Sequence, residues 1–199
     1  FKEKIINYID KLSPEAEMTK SVNTIFFNNG KINGHNTDIF GFEKAVQNTK
    51  FNILNKKIFI IGAGGVVPSI IVALNKLKAS EIILSNRTKY KAENLKSLHK
   101  NLTIVDWGEI PNFDMIINAT SVGLNKQEKL NLDFSKIKGK FFYDVIYNPN
   151  ETEFLKDAKK LKNNVENGKK MFVYQAAAAF KIWHGIEPKI NNEVYKLLD

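Results

Sequence analysis

Short apolar runs alternate with helically spaced apolar positions through the middle of this chain. "KKIFIIGAGG" reads as a buried strand running into a glycine turn. "VVPSIIVALNKLKA" then carries its apolar residues at helical spacing, and Pro68 suits a first turn, where a missing N–H costs nothing. "EIILSNRT" repeats the strand pattern ahead of a lysine-rich helix, "KYKAENLKSLHK". "LTIVDW", "FDMIINATSV" and "KFFYDVIYNP" are further strands, and "ETEFLKDAKKLKNN" is another helix. Strands alternating with helices predict a parallel sheet covered on both faces. The flanks differ. "KEKIINYIDKLS" has an amphipathic helical pattern, and "SVNTIFFNNGKINGHNTD" reads as two short strands joined through Asn-Gly. "KMFVYQAAAAFKIWHG" is an alanine-rich helix stopped by Gly185 and Pro188. The expected organisation is a βα core over residues 39–169, bracketed by 1–38 and 170–199, which pack together as a second, smaller domain.

"IIGAGGVVPS" follows a strand and opens a helix, the context a dinucleotide fingerprint requires. Gly62 makes the tight turn, Gly64 lets backbone approach a pyrophosphate, and the helix N-terminus offers free N–H groups to that anion. Val67 stands where the fingerprint has Gly or Ala, which predicts crowding of helix against strand. A purely structural turn is the alternative. The end of the next strand favours the cofactor reading. Arg87 is the one arginine among 30 basic residues, and it lies where an NAD-binding Rossmann fold places an acidic residue for the ribose 2′-hydroxyl. Here that stretch reads Ser85, Asn86, Arg87, Thr88, with Lys89 and Lys91 close behind and no carboxylate until Glu93. A cationic strand end suits a 2′-phosphate, so NADP is the expected cofactor. Guanidinium offers a planar fork for phosphate and a flat face for adenine, neither of which lysine has. A solvated surface arginine is the bland alternative.

Composition narrows the chemistry. The 199 residues contain no cysteine, which removes disulfides, thiolate catalysis and cysteine metal sites and fits a reducing cytosol. A formal charge of +9 raises the question of nucleic acid. The lysines, however, are spread over the whole length, and no run alternates bases with aromatics. Lysine-biased composition, or a preference for acidic small molecules, explains the charge. His35, His99 and His184 lack paired ligand spacing, so no metal is expected. No apolar run reaches membrane-spanning length, and "FKEKIINYID" is not a signal peptide. The absence of an initiator Met leads us to expect a missing upstream segment.

Eight ordered motifs, "FKEK", "SVNT", "GHNTDIFGF", "GAGG", "SNRT", "INATSVGL", "YDVIYNPNET" and "NGKKMFVYQAAAAFKIWHGIEP", give the chain its resemblance to the shikimate dehydrogenase family from Phe1 to about Pro188. The resemblance implies an α/β fold, a Rossmann-type doubly wound parallel sheet (39–169) plus a smaller discontinuous α/β substrate domain (1–38 and 170–199), N-terminally incomplete. It implies NADPH-dependent reduction of 3-dehydroshikimate to shikimate in aromatic (chorismate) biosynthesis, by a cytoplasmic monomer or homodimer acting on a small molecule. By motif, Lys2 resembles the catalytic lysine and Asp38 its aspartate partner, which also binds substrate. Asn23, Tyr147 and Gln175 match substrate-binding positions. Gly62, Ala63, Gly64, Gly65, Val66, Asn86, Arg87, Thr88 and Lys91 match cofactor positions, with Thr120, Ser121, Val145 and Gly168 beside the nicotinamide. Lys91 stands where the family often has arginine. The rival readings are a quinate/shikimate dehydrogenase with looser cofactor choice and a non-catalytic NADP-binding relic. On their own, Lys2 would be a solvated lysine and Asp38 a turn or cap residue.

Overall fold

The computed structural model describes residues 2–98, 102–125 and 128–198. Two sheets form. The larger holds six parallel strands: β4 (Lys57–Ile61), β5 (Glu81–Ser85), β6 (Leu102–Val105), β7 (Met115–Asn118), β8 (Phe141–Asp144) and β9 (Asn164–Glu166). Their spatial order is β6-β5-β4-β7-β8-β9, the doubly wound order in which the chain reverses direction between β4 and β7. Alternate residues of β4 face opposite layers. Ile58 and Ile60 join the core cluster that includes Ile70, Leu74 and Phe42, while Phe59 and Ile61 join Phe113, Phe142 and Leu155. Burial on both faces explains why these strands read as unbroken apolar runs.

The helices α3 (Val67–Lys76), α4 (Lys89–Leu98) and α5 (Glu153–Lys160) follow the predicted patterns, with Pro68 in the first turn of α3. Val67 is fully buried in the core, so the crowding expected at that position is absorbed by packing.

The smaller sheet has the order β1-β3-β2, with β1 (Lys11–Leu12), β2 (Thr24–Asn28) and β3 (Lys31–His35). β2 and β3 form the expected hairpin, and its two turn residues, Asn29 and Gly30, both have positive φ, 51° and 72°, as a tight Asn-Gly turn requires. The N-terminal helix does not form. Residues Lys4–Tyr8 make only a short 3-10 turn, after which Asp10 N–H bonds the Ile32 carbonyl and β1 pairs in parallel with β3. Edge pairing here overrides a helical apolar pattern too short to stand alone.

Helix α2 (Asp38–Gln47) packs against α6 (Lys169–His184), which ends at Gly185 with φ 69°. The Trp183 indole N–H donates to the Ile25 carbonyl at 2.9 Å, tying the end of α6 to β2. Two further helices were not anticipated: α1 (Pro14–Thr19), capped by the Ser13 hydroxyl, and α7 (Asn192–Lys196), capped by Asn191. Among the described residues no helix is long and apolar enough to cross a membrane.

Candidate active site

Asp38 is the first residue of α2, and its side chain is 7% exposed. Its position places a carboxylate at the positive end of the helix dipole. The turn preceding it is held rigidly: Asn36 Oδ1 accepts from the Asp38 N–H at 3.0 Å, and Asn36 Nδ2 donates to Thr19, Ser21 and Ser69. Ser69 belongs to α3, so this turn is fastened to the helix that follows the glycine loop. Lys2, 36 residues away in sequence, sets its ammonium 2.5 Å from Asp38 Oδ2, while its own carbonyl accepts from Val22 N–H. Asn23 Nδ2 donates to the other carboxylate oxygen at 2.8 Å, and its Oδ1 accepts from the Thr37 N–H. Lys2, Asn23 and Asp38 thus form one cluster. The two chain segments converge although the N-terminal piece is not a helix.

Gln175 is packed against α2, and Tyr147 is joined to it through Phe172 of α6. Gly41, one turn beyond Asp38 and on the same face of α2, has no room for a side chain, since an added Cβ would lie 2.8 Å from Gln175 Cβ. The Gln175 amide donates to the Phe172 carbonyl, and the Tyr147 ring stacks on Phe172 at 4.4 Å between centroids.

Most cofactor candidates gather at the carboxyl ends of β4, β5 and β7, while Val145 follows β8 and Gly168 follows β9. Gly62 has φ 107°, and a Cβ there would meet the Ala119 carbonyl oxygen at 2.8 Å, so glycine is required on both counts. At Gly65 a Cβ would meet nothing, and at Gly64 only the Ala119 oxygen at 3.8 Å. Both therefore border open space. In the first turn of α3 the Val67 N–H bonds the Gly64 carbonyl at 3.0 Å and Pro68 has no N–H, so an anion would be met by the open glycine loop at the positive end of the α3 dipole rather than by free first-turn N–H groups. The chain's own residues thus fit a dinucleotide pyrophosphate. Asn86 joins this loop to the β5 end, accepting from the Ala63 N–H at 3.1 Å and donating to the Thr88 carbonyl at 2.8 Å. Arg87 is exposed. Neither it nor Lys91 makes an ion pair among the described residues, whereas Lys89 is engaged by Asp106 at 2.7 Å. A cleft of about 910 Å³ runs beside Gly64, Gly65, Tyr90 and Lys91 and reaches Glu3 and Lys20 of the N-terminal segment.

The sequence matches a known family. Residues 43–153 match the family described as shikimate / quinate 5-dehydrogenase, and residues 170–191 match the shikimate 5′-dehydrogenase C-terminal domain. A shikimate dehydrogenase (NADP(+)) of Pelagibacter ubique is 54% identical over 200 residues, spanning all of this chain and 76% of that relative. This chain belongs to the shikimate/quinate dehydrogenase family. Its fold agrees with that of a shikimate dehydrogenase from Aquifex aeolicus at a TM-score of 0.90 and 36% identity, over all of this chain and 73% of the other. The Thermus thermophilus enzyme, solved with NADP(H) and shikimate, aligns at 0.87 and 29% identity over 99% of this chain and 74% of its own.

The remaining candidates divide by whether they touch this framework. Gly168 lies where a Cβ would overlap the Val145 carbonyl, which packs the start of α6 against the end of β8. Thr120 is half-buried, and its hydroxyl bonds Asn118 Oδ1 at 2.7 Å, while Ser121 is exposed. His35 bonds the Ser13 hydroxyl, and His184 packs on Phe180. His99 lies outside the described residues. Sequence reasoning passed over Asn36, Asn118 and Asp144, all buried and multiply hydrogen-bonded. A signal existed for the last two: each is a polar residue closing an otherwise apolar strand, "MIIN" and "FFYD".

Proposed function

We propose that this protein catalyses the NADPH-dependent reduction of 3-dehydroshikimate to shikimate. The observation that carries the reading is the Lys2 ammonium held on the Asp38 carboxylate at the start of α2. Ketone reduction needs hydride at carbon and a proton at oxygen. When bound, the nicotinamide supplies the hydride. Lys2, held in place by Asp38, stabilises the developing alkoxide and delivers the proton. Asp38 also orients the amine and accepts from a substrate hydroxyl, and Asn23, Tyr147 and Gln175 complete the substrate contacts. Gly62, Ala63, Gly64, Gly65 and Val66 hold the pyrophosphate. Asn86, Arg87, Thr88 and Lys91 take the adenosine 2′-phosphate end, with Thr120, Ser121, Val145 and Gly168 around the nicotinamide.

Residues 1–38 and 170–199 form the substrate domain in this reading, and 39–169 the NADP domain. The protein acts in the cytoplasm on small molecules, as a monomer or homodimer, and does not bind nucleic acid. Steep loss of DNA binding with rising salt would instead reveal phosphate contacts. The deciding experiment is an initial-rate assay with shikimate against quinate, each with NADP and with NAD. Preference for shikimate and NADP is expected, and preference for quinate or NAD overturns the proposal.

A further inference from the structure

The two strand ends that flank the nicotinamide in this reading are joined by one buried carboxylate. Asp144 closes β8, has no solvent exposure and meets no cation among the described residues. Its Oδ1 accepts from the Ile146 N–H at 3.0 Å, its Oδ2 accepts from the Thr152 hydroxyl at 2.6 Å, and Asn118 Nδ2 donates to both oxygens at 3.1 and 3.2 Å. Two of its three partners, Asn118 and Ile146, lead to residues of the site. Asn118 closes β7, its Oδ1 holding the Thr120 N–H and hydroxyl while its Nδ2 also bonds the Val122 carbonyl. That arrangement shapes the turn carrying Thr120 and Ser121. Ile146 lies between Val145 and Tyr147, and its carbonyl accepts from the Gly168 N–H at 3.0 Å. Thr152 caps α5 through the Leu155 N–H.

A carboxylate here is an expensive tie, because burial opposes the charged form. Burial is the largest influence on its pKa, raising it to about 6 against the opposing hydrogen bonds of Thr152, the Ile146 N–H and Asn118. The titratable groups around it are Tyr143 of its own strand, buried beside it, Glu166 of β9, bonded to Lys170, and Glu153 of α5, bonded to Lys156 and Lys129. An amide would connect the same strands with less desolvation. What distinguishes the carboxylate is that it accepts from all three partners at once without presenting a donor of its own.

We propose that Asp144 is a positioning residue for hydride transfer, acting through Asn118 and the Ile146 backbone to fix Thr120, Ser121 and Val145 against the nicotinamide. This rests on the proposed function. In Asp144→Asn the new amide must place its NH2 against Thr152 or Asn118, so the Thr120–Val122 turn loosens while the Arg87 end of the site is untouched. The test uses the full chain at pH 7.5. Expected are a kcat lower by about tenfold or more, NADPH affinity by fluorescence titration within about threefold, and urea stability equal to or above wild type. Hydrogen exchange at the Thr120 and Ile146 amides of the ligand-free protein should accelerate. Thr152→Val should lower kcat in the same way, and Thr152→Ser should restore it. An active wild type with unchanged kcat in Asp144→Asn, or a loss of kcat matched by lost stability, overturns the positioning role alone. A wild type inactive with shikimate and NADP overturns the functional reading and this proposal with it.

Discussion

At the scale of single residues, the proposed function divides the site into groups that do chemistry and groups that choose the cofactor, and substitutions should separate them too. Lys2 is the only cation on Asp38 among the described ion pairs, and 39% of its side chain remains exposed, so its removal disturbs little packing. Lys2→Ala should lower kcat by about 10²–10⁴-fold, the usual worth of a positioned proton donor, with the thermal midpoint almost unchanged. A folded Lys2→Ala protein that keeps its turnover would show that the lysine is an ordinary solvated one. Arg87 is the converse case. It lies beside Asn86, whose side chain grips the glycine loop, yet Arg87 itself spends no ion pair on the protein. Losing one charge-assisted phosphate contact costs about 1.5–3 kcal/mol. The Michaelis constant for NADP should therefore rise roughly ten- to hundredfold in Arg87→Ala, at that energy scale. The constant for shikimate should stay within about twofold, and so should that for NAD, which has no 2′-phosphate to lose.

At the scale of elements, close approach between helices sets where Gln175 sits. Gly41 on α2 faces Gln175 and the Met171 carbonyl of α6, with an added Cβ at 2.8 Å from each. Backbone cannot yield cheaply, so Gly41→Ala should push α6 outward. Overpacking typically costs about 1–3 kcal/mol, partly offset by the roughly 1 kcal/mol that alanine gains over glycine in a helix. The Michaelis constant for shikimate should rise while that for NADP holds. Equal rises in both would mean that α6 does not carry the substrate contact independently. The elements also show what a sequence can and cannot reveal. β4, β5, β7 and β8 are legible because burial on both faces leaves apolar runs, and the hairpin is legible because Asn29 and Gly30 accept positive φ. "KEKIINYID" misleads because Ile5, Ile6 and Ile9 keep helical spacing while the chain is captured by β3. β9 has three residues, none closing an apolar run, and is defined only by its partner β8. α1 did carry a sign, Ser13 before Pro14 and Glu15, though in only six helical residues. The glycine loop and Arg87 are local features and can be read from spacing. Lys2, Asn23 and Asp38 are brought together by tertiary structure, so only family resemblance pointed to them beforehand.

At the scale of the whole molecule, a buried carboxylate makes stability depend on pH in the direction opposite to the usual one. Surface carboxylates such as Glu153 and Glu187 have their pKa lowered by lysine partners, so whatever stability they add is lost as pH falls. Asp144 has its pKa raised from 3.8 to about 6, chiefly by burial. The folded state then binds its proton more readily than the unfolded chain, so its contribution is fully present below about pH 4 and is lost as pH rises through about 6. Net stability sums both kinds of group. The difference between wild type and Asp144→Asn isolates one. Between pH 4.5 and 7.5 the wild type should lose about 2 kcal/mol relative to the variant, since about 1.5 pH units of that interval lie below the folded pKa and each is worth about 1.36 kcal/mol. Paired urea titrations at the two pH values measure this directly. A difference that does not change with pH would mean that Asp144 relaxes or is hydrated in the folded state, because only desolvation gives the predicted slope. If the slope is present, the fold tolerates a charge at the junction of β7, β8 and α5 at a cost in stability near neutral pH. Stability alone would then favour asparagine at position 144, and the retained carboxylate would be explained by the geometry it imposes on the strand ends above it.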